Sequence, residues 1–291
     1  MKVLITGGLG FIGSHLVDRL RKENCDVYVW DNLCTASSKK TRIRDDVVYT
    51  KRDVREINLV KHPSYDIIYH LASYARIQPS FENPDESLSN DILGTIAVCE
   101  LSRKLKSKIV YAGSSSAYAG HFLNPYSFGK YTAEQVCCLY HELYNVTMVI
   151  ARFFNVYGPR QPTTGKWATV IAVFEGQHSS GKPLTITSDG NQRRDFTHVD
   201  DIVSGLIALG EKNCSSDTAH IFNLGTGTNY SINEIADMFG GEKVYLPKRP
   251  GEARHTLADI SLMTQHTPWH PTKSLSEYVA EFLATQKEKS E

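Results

Sequence analysis

The sequence predicts an α/β protein built on a doubly wound parallel sheet, with a smaller α/β lobe beside it. Two observations carry this expectation. Short runs rich in β-branched residues alternate with longer segments of helical period, the pattern of strands joined by crossover helices. Runs such as Ile67-Ile68-Tyr69 and Ile109-Val110-Tyr111 are apolar on both faces, as a sheet covered by helices on each side requires. Strands are expected at 2–6, 26–30, 47–51, 66–70, 108–112 and 147–152, with helices over 11–23, 86–106 and 127–145. Beyond Asn155-Val156-Tyr157-Gly158-Pro159, glycine, proline and polar residues become frequent and helical patterns shorten. Ala219–Leu224 again reads as a buried strand, so the chain returns to the main sheet after an excursion. Residues 1–157 and 195–225 are therefore assigned to the main domain and 158–194 and 226–291 to the lobe. The lobe is expected to end in a helix over 274–287, with a frayed tail over 287–291.

The bulk numbers narrow the function classes. The chain has 291 residues, 41% hydrophobic and 22% charged, ordinary values for a globular protein. Lys plus Arg and Asp plus Glu are 32 each, so no global field draws the protein to nucleic acid or to a membrane surface. Any anion site must be local. Met1-Lys2 leads into the apolar run Val3-Leu4-Ile5, far short of the roughly 18 residues a membrane span needs. No signal peptide is read there, and a cytoplasmic location is expected. Cysteines 25, 34, 99, 137, 138 and 214 show no C-x-x-C pairing, so they are expected as reduced thiols, and no metal site is expected.

The segment Thr6-Gly7-Gly8-Leu9-Gly10-Phe11-Ile12-Gly13-Ser14-His15-Leu16 follows the first strand and opens the first helix. Glycine lets backbone turn sharply and approach a pyrophosphate, and a helix N-terminus offers unpaired N–H groups and partial positive charge. Gly7, Gly10 and Gly13, with Phe11 and Ile12 between them, are thus read as a dinucleotide cradle of the Rossmann type. The second strand ends in Asp31-Asn32, a carboxylate that accepts bonds from a ribose 2′-OH and repels a 2′-phosphate. NAD is favoured over NADP. Asp53-Val54 and Leu71-Ala72-Ser73 fall at further strand C-terminal ends, where ligands bind in such sheets.

Tyr126-Ser127-Phe128-Gly129-Lys130 begins a helix after Pro125. Residues four apart share a helix face, so phenol and ammonium can enter one site. A free tyrosine is a poor base at neutral pH, and a nearby cation favours its phenolate. Upstream, Gly113-Ser114-Ser115-Ser116-Ala117-Tyr118 puts a hydroxyl cluster at the end of strand five, where it can relay a proton from a substrate oxygen.

With these motifs in order, the chain resembles the extended short-chain dehydrogenase/reductases, in particular the NAD-dependent sugar-nucleotide epimerase/dehydratase group. The resemblance runs from Thr6-Gly7-Gly8 to Arg249-Pro250-Gly251-Glu252 and lies closest to UDP-glucose 4-epimerase-like members. It implies that Gly7, Gly10, Gly13 and Asp31 bind NAD, that Asp53 and Val54 flank the adenine, and that Leu71, Ala72 and Ser73 line the cofactor cleft. Ser114, Tyr126 and Lys130 match the group's catalytic triad, with Lys130 holding the nicotinamide ribose and tuning Tyr126. On the substrate side it implies Asn155, Arg194 and Arg249 at the nucleotide diphosphate, with Ser115 beside the sugar. A bidentate guanidinium is the natural phosphate ligand in a globally neutral protein.

Dehydratases and decarboxylases of the group carry carboxylates next to the catalytic hydroxyl; here Ser115 and Ser116 stand there. The resemblance therefore implies epimerisation of a nucleotide sugar, UDP by default, through a transient 4-keto sugar. Dehydration, decarboxylation or reduction within the same family are the alternatives, with a non-catalytic NAD-binding protein behind them. Two departures stand out. Only residues 119–125 separate Tyr118 from Tyr126, where members carry a longer loop, and Asp91 stands where they carry Asn. A homodimer is expected, with helices near 86–106 and 127–145 pairing through a stripe that includes Ile92, Ile96 and Cys99.

Overall fold

The computed structural model describes residues 1–34, 42–212 and 220–290. Cys214, Ala219 and Glu291 lie outside the described residues. Strands β1 (Lys2–Thr6), β2 (Asp26–Trp30), β3 (Val48–Thr50), β4 (Ile67–His70), β5 (Lys108–Ser114) and β6 (Met148–Phe153) all pair in parallel. Between them run helices α1 (Phe11–Lys22), α2 (Ile77–Glu82), α3 (Pro84–Leu88), α4 (Gly94–Leu105), α5 (Ser116–Ala119) and α6 (Pro125–Tyr144). The excursion carries β7 (Asn155–Tyr157), α7 (Val170–Ser179), β8 (Leu184–Thr187) and β9 (Arg193–His198). Helix α8 (Val199–Glu211) and β10 (His220–Leu224) then return to the main sheet, and β10 pairs with β6. The last part holds β11 (Asn229–Ser231), α9 (Ile232–Phe239), β12 (Lys243–Leu246), α10 (Ser261–His266) and α11 (Leu275–Ser290).

The main sheet has the order β10-β6-β5-β4-β1-β2-β3. From β1 the chain builds outward through β2 and β3, then crosses back to β4 and builds the other way. That reversal opens a crevice at the C-terminal ends of β1 and β4, where such sheets bind ligands. Apolar layers cover both faces. One joins Leu16, Leu20, Val203 and Leu206 to Val3, Ile5 and Val149. The other joins Val98, Cys99, Ala133 and Cys137 to Leu4, Ile68, Tyr111 and Ile150. The lobe has its own core around Phe174, Ile186, Ile235 and Phe239. Met263 and Trp269, placed with the lobe by the sequence reading, pack into the first layer of the main sheet.

Three local expectations change. The helix expected over 86–106 is broken by a π-turn over Ser89–Leu93 that joins α3 to α4. One extra residue per turn rotates Asp91 inward, to 2% exposure, so it does not face solvent. Cys99 is fully buried against the sheet and cannot belong to a subunit interface, while Ile92 and Ile96 are half-buried. Helix α11 runs to Ser290, past the end expected at 287.

Candidate active site

The cofactor end is made by the glycine loop. Gly7 has φ +72°, and a Cβ there would meet the Ala72 backbone at 2.9 Å. A Cβ on Gly13 would lie 2.2 Å from the Gly7 carbonyl oxygen, so helix α1 can start this close to β1 only without a side chain. Gly10 caps α1 with no side-chain hydrogen bond, which leaves first-turn N–H groups for an anion. Asp31 is 8% exposed and stands over this loop, accepting bonds from Leu9 N at 3.0 Å and Leu33 N at 2.8 Å. Asn32 Nδ2 donates to Asp53 Oδ2 at 3.1 Å, and Arg55 clamps the same carboxylate at 2.8 Å. Val54 is buried in the second layer, so its side chain belongs to the core.

The floor of the cleft is a hydrogen-bonded chain. The Ala72 N–H donates to Thr6 Oγ1, which lies 2.7 Å from His70 Nδ1, and His70 Nε2 lies 3.2 Å from Thr95 Oγ1. The Thr95 hydroxyl donates to the Asp91 carbonyl, so its remaining capacity accepts from a neutral imidazole N–H. Burial pushes the His70 pKa down to about 3, which keeps that ring neutral. The Ser73 hydroxyl donates to Asp91 Oδ1 at 2.7 Å, which leaves its oxygen as an acceptor, and Tyr74 N donates to the same Asp91 oxygen at 3.1 Å. Asp91 Oδ2 has no hydrogen-bond partner among the described residues. Burial raises the Asp91 pKa, and the Lys130 charge pulls against that rise.

Tyr126 and Ser114 come together as expected. The Tyr126 hydroxyl donates to Ser114 Oγ at 3.2 Å, and Ser114 Oγ also accepts from Ser116 N. Helix α6 places the phenol. Asn124 caps it by accepting from Ser127 N at 2.7 Å, and Pro125 takes the first helical position. The Asn124 amide also donates to the Gly251 carbonyl at 2.8 Å, so the short 119–125 segment ends tied to the lobe. Burial raises the Tyr126 pKa; the Ser114 bond lowers it, Asp91 raises it and Arg76 lowers it again.

Lys130 is the cation expected to hold the nicotinamide ribose and tune Tyr126. It is 3% exposed, and its ammonium sits 4.4 Å from the centre of the Tyr111 ring, with no hydrogen bond to Tyr126. Burial lowers its pKa, and Asp91 and Glu134 raise it. The cation pulling the phenol pKa down is Arg76, which the sequence reading missed. Its position just after β4, at the ligand-binding edge of the sheet, was the available signal.

A cavity of about 430 Å³ runs from this cluster into the lobe. Phe11, Ile12, Ser114, Ser115 and Tyr126 line its main-domain end, and Asn155, Arg194 and Arg249 its lobe side. Arg194 is held by the carbonyls of Arg193 and Ala253. Its strand is fixed by the fully buried Asp195, which accepts from Thr226, Gly227 and Ala258 N–H groups. Arg249 has no hydrogen bond or ion pair among the described residues. Three or more clustered His, Cys, Asp or Glu residues able to hold a metal do not occur among them.

The pattern of the NAD dependent epimerase/dehydratase family matches residues 3–225, which covers both the glycine loop and the Ser114–Tyr126 pair. The chain belongs to that family. This member is 35% identical to a "Putative UDP-glucose 4-epimerase" of Methanocaldococcus jannaschii, over 94% of this chain and 95% of that one. It is 31% identical to "UDP-glucuronic acid decarboxylase 1" of Xenopus tropicalis, over 95% of this chain and 70% of that one. Among solved structures it matches a UDP-glucose 4-epimerase of Thermotoga maritima holding UDP-glucose, with TM-score 0.90, 27% identity and full coverage of both chains. The family member's own residues fit the dinucleotide: the Gly7–Gly13 cradle leaves no room for a Cβ, and the Asp31 carboxylate stands beside it.

Proposed function

We propose that the protein is an NAD-dependent 4-epimerase of a nucleotide-diphosphate sugar, with UDP as the nucleotide. The observation that carries this reading is the Tyr126–Ser114 hydrogen bond at one end of a cavity whose lobe side carries Arg194 and Arg249. Bound NAD supplies a hydride acceptor and donor that ends each cycle unchanged. The protein's share is proton transfer and positioning. Tyr126 takes the proton of the sugar 4-OH, directly or through Ser114, and later returns one to the rebuilt hydroxyl. Gly7, Gly10, Phe11, Ile12 and Gly13 cradle the pyrophosphate, and Asp31 with Asn32 takes the adenosine ribose. Asp53 and the Val54 backbone border the adenine, and Leu71, Ala72 and the buried Lys130 border the nicotinamide side. Asn155, Arg194 and Arg249 hold the nucleotide diphosphate, so the keto sugar can turn while tethered.

Ser115 and Ser116 favour epimerisation over dehydration, because neither hydroxyl can take a proton from carbon as a carboxylate can. Incubation with a panel of UDP-sugars, with products separated by stereochemistry, tests the reading. A 4-epimer and no net NADH support it. A keto-deoxy sugar, a pentose with released CO₂, or stoichiometric NADH consumption would each replace it.

The protein is proposed to act in the cytoplasm as a homodimer. Unbridged thiols at Cys25, Cys99, Cys137 and Cys138 support a reducing compartment, and no helix among the described residues is long and apolar enough to cross a membrane. Leu93, on the π-turn before α4, and Leu139, Leu143 and Tyr144 on α6 leave apolar surface exposed. Light scattering should give twice the 32.6 kDa chain mass, and a monomer at micromolar concentration would contradict the dimer.

A further inference from the structure

The sugar end of the cavity holds one more cation than a neutral hexose needs. Arg76 lines the cavity beside Tyr126, only partly exposed. Its Nε donates to the Trp167 carbonyl at 2.8 Å and its Nη1 to the Ala75 carbonyl at 2.9 Å. Those two bonds aim the guanidinium and leave Nη2 without a partner among the described residues. No carboxylate among the described residues pairs with Arg76: Glu82 is taken by Lys166 at 3.1 Å, and Glu252 acts on Arg194. Among the described residues the only titratable neighbour acting on Arg76 is Tyr126.

A partly buried, fixed and unpaired guanidinium is costly unless a ligand completes it, and a planar carboxylate fits its open edge best. We infer that the sugar carried into this site bears a carboxylate, as in a UDP-hexuronate, and that Arg76 is its receptor. This rests on the nucleotide-sugar reading above and names the substrate class within it. Gln78, Ser115 and Ser116 line the same cavity and offer further polar groups. Burial lowers the Arg76 pKa, the direction expected of a cation waiting for a counter-charge.

Binding is the readout of choice, because removing Arg76 also withdraws positive charge from Tyr126. The full chain saturated with NAD is titrated calorimetrically with UDP, UDP-glucose and UDP-glucuronate, as wild type, Arg76→Met and Arg76→Lys. The wild type should bind UDP-glucuronate about 10- to 100-fold more tightly than UDP-glucose, the range of one charge-assisted contact. Arg76→Met should abolish that preference and leave the affinity for UDP unchanged, and Arg76→Lys should restore part of it. Equal affinity of the wild type for both sugars overturns the proposal. So does an Arg76→Met variant that keeps the uronate preference, or one that weakens UDP, UDP-glucose and UDP-glucuronate alike. Failure of UDP itself to bind the wild type overturns the nucleotide-sugar reading and this inference with it.

Discussion

Tyr126→Phe should lower kcat by about 10²- to 10⁴-fold, the usual contribution of a positioned acid/base, with cofactor affinity unchanged. The ring stays in place, since Asn124 and Pro125 set the start of α6 without help from the hydroxyl. What disappears is the proton acceptor and its bond to Ser114 Oγ. A non-catalytic NAD-binding protein would lose nothing measurable. The pH dependence follows from the direction of the shift. Burial raises the Tyr126 pKa, so at neutral pH the phenolate is the minor form. Sugar oxidation, which needs the phenolate, should therefore speed up as pH rises toward that pKa and level off above it. Arg76 favours the phenolate, so Arg76→Met should move this rising limb to higher pH. Stopped-flow measurement of sugar oxidation across pH separates the two variants: one loses the limb, the other displaces it.

The largest stability effect should come from Glu134→Ala. Glu134 is fully buried and receives Arg152 Nη2 at 2.6 Å and Nε at 3.1 Å to each carboxylate oxygen. Arg152 in turn lies 4.7 Å from the centre of the Tyr118 ring. Removing the carboxylate strands a guanidinium that is only 13% exposed, so about 3–5 kcal/mol should be lost. Glu134→Gln keeps a hydrogen-bond acceptor and should cost less. The pair ties α6 to β6 two turns beyond Tyr126, and Gly113 leaves the space its carboxylate occupies: a Cβ there would lie 2.7 Å from Oε1. A fall in the urea midpoint should therefore be accompanied by a fall in kcat. An unchanged midpoint would mean that the buried pair contributes nothing net.

The positions of the strands were legible because both-face apolar runs and the glycine turn are written locally in the chain. So were Gly7, Gly13, Asp31, Ser114 and Tyr126, each at a strand end or helix start where its residue type has a physical task. The π-turn was not legible. It changes the phase of the helical pattern by one residue without changing its composition, and so it hid the inward turn of Asp91 and of Cys99. Lys130 was placed on the correct helix face, but its partner is the face of Tyr111, a contact between α6 and β5 that spacing along α6 cannot show. Arg76 escaped for a related reason. Its significance lies in the carboxylates that are not near it, and only the folded arrangement of Glu82, Lys166, Glu252 and Arg194 reveals that.

Incubating the NAD-loaded protein with a UDP-sugar deuterated at C4 asks directly whether this site oxidises and rebuilds that carbon. The 4-epimer should form with its deuterium still at C4 and none in the solvent, and Tyr126→Phe should form almost none. Loss of the label to water, or a product in which C4 was never inverted, would contradict the assignment of Tyr126 and Ser114 to the sugar 4-hydroxyl.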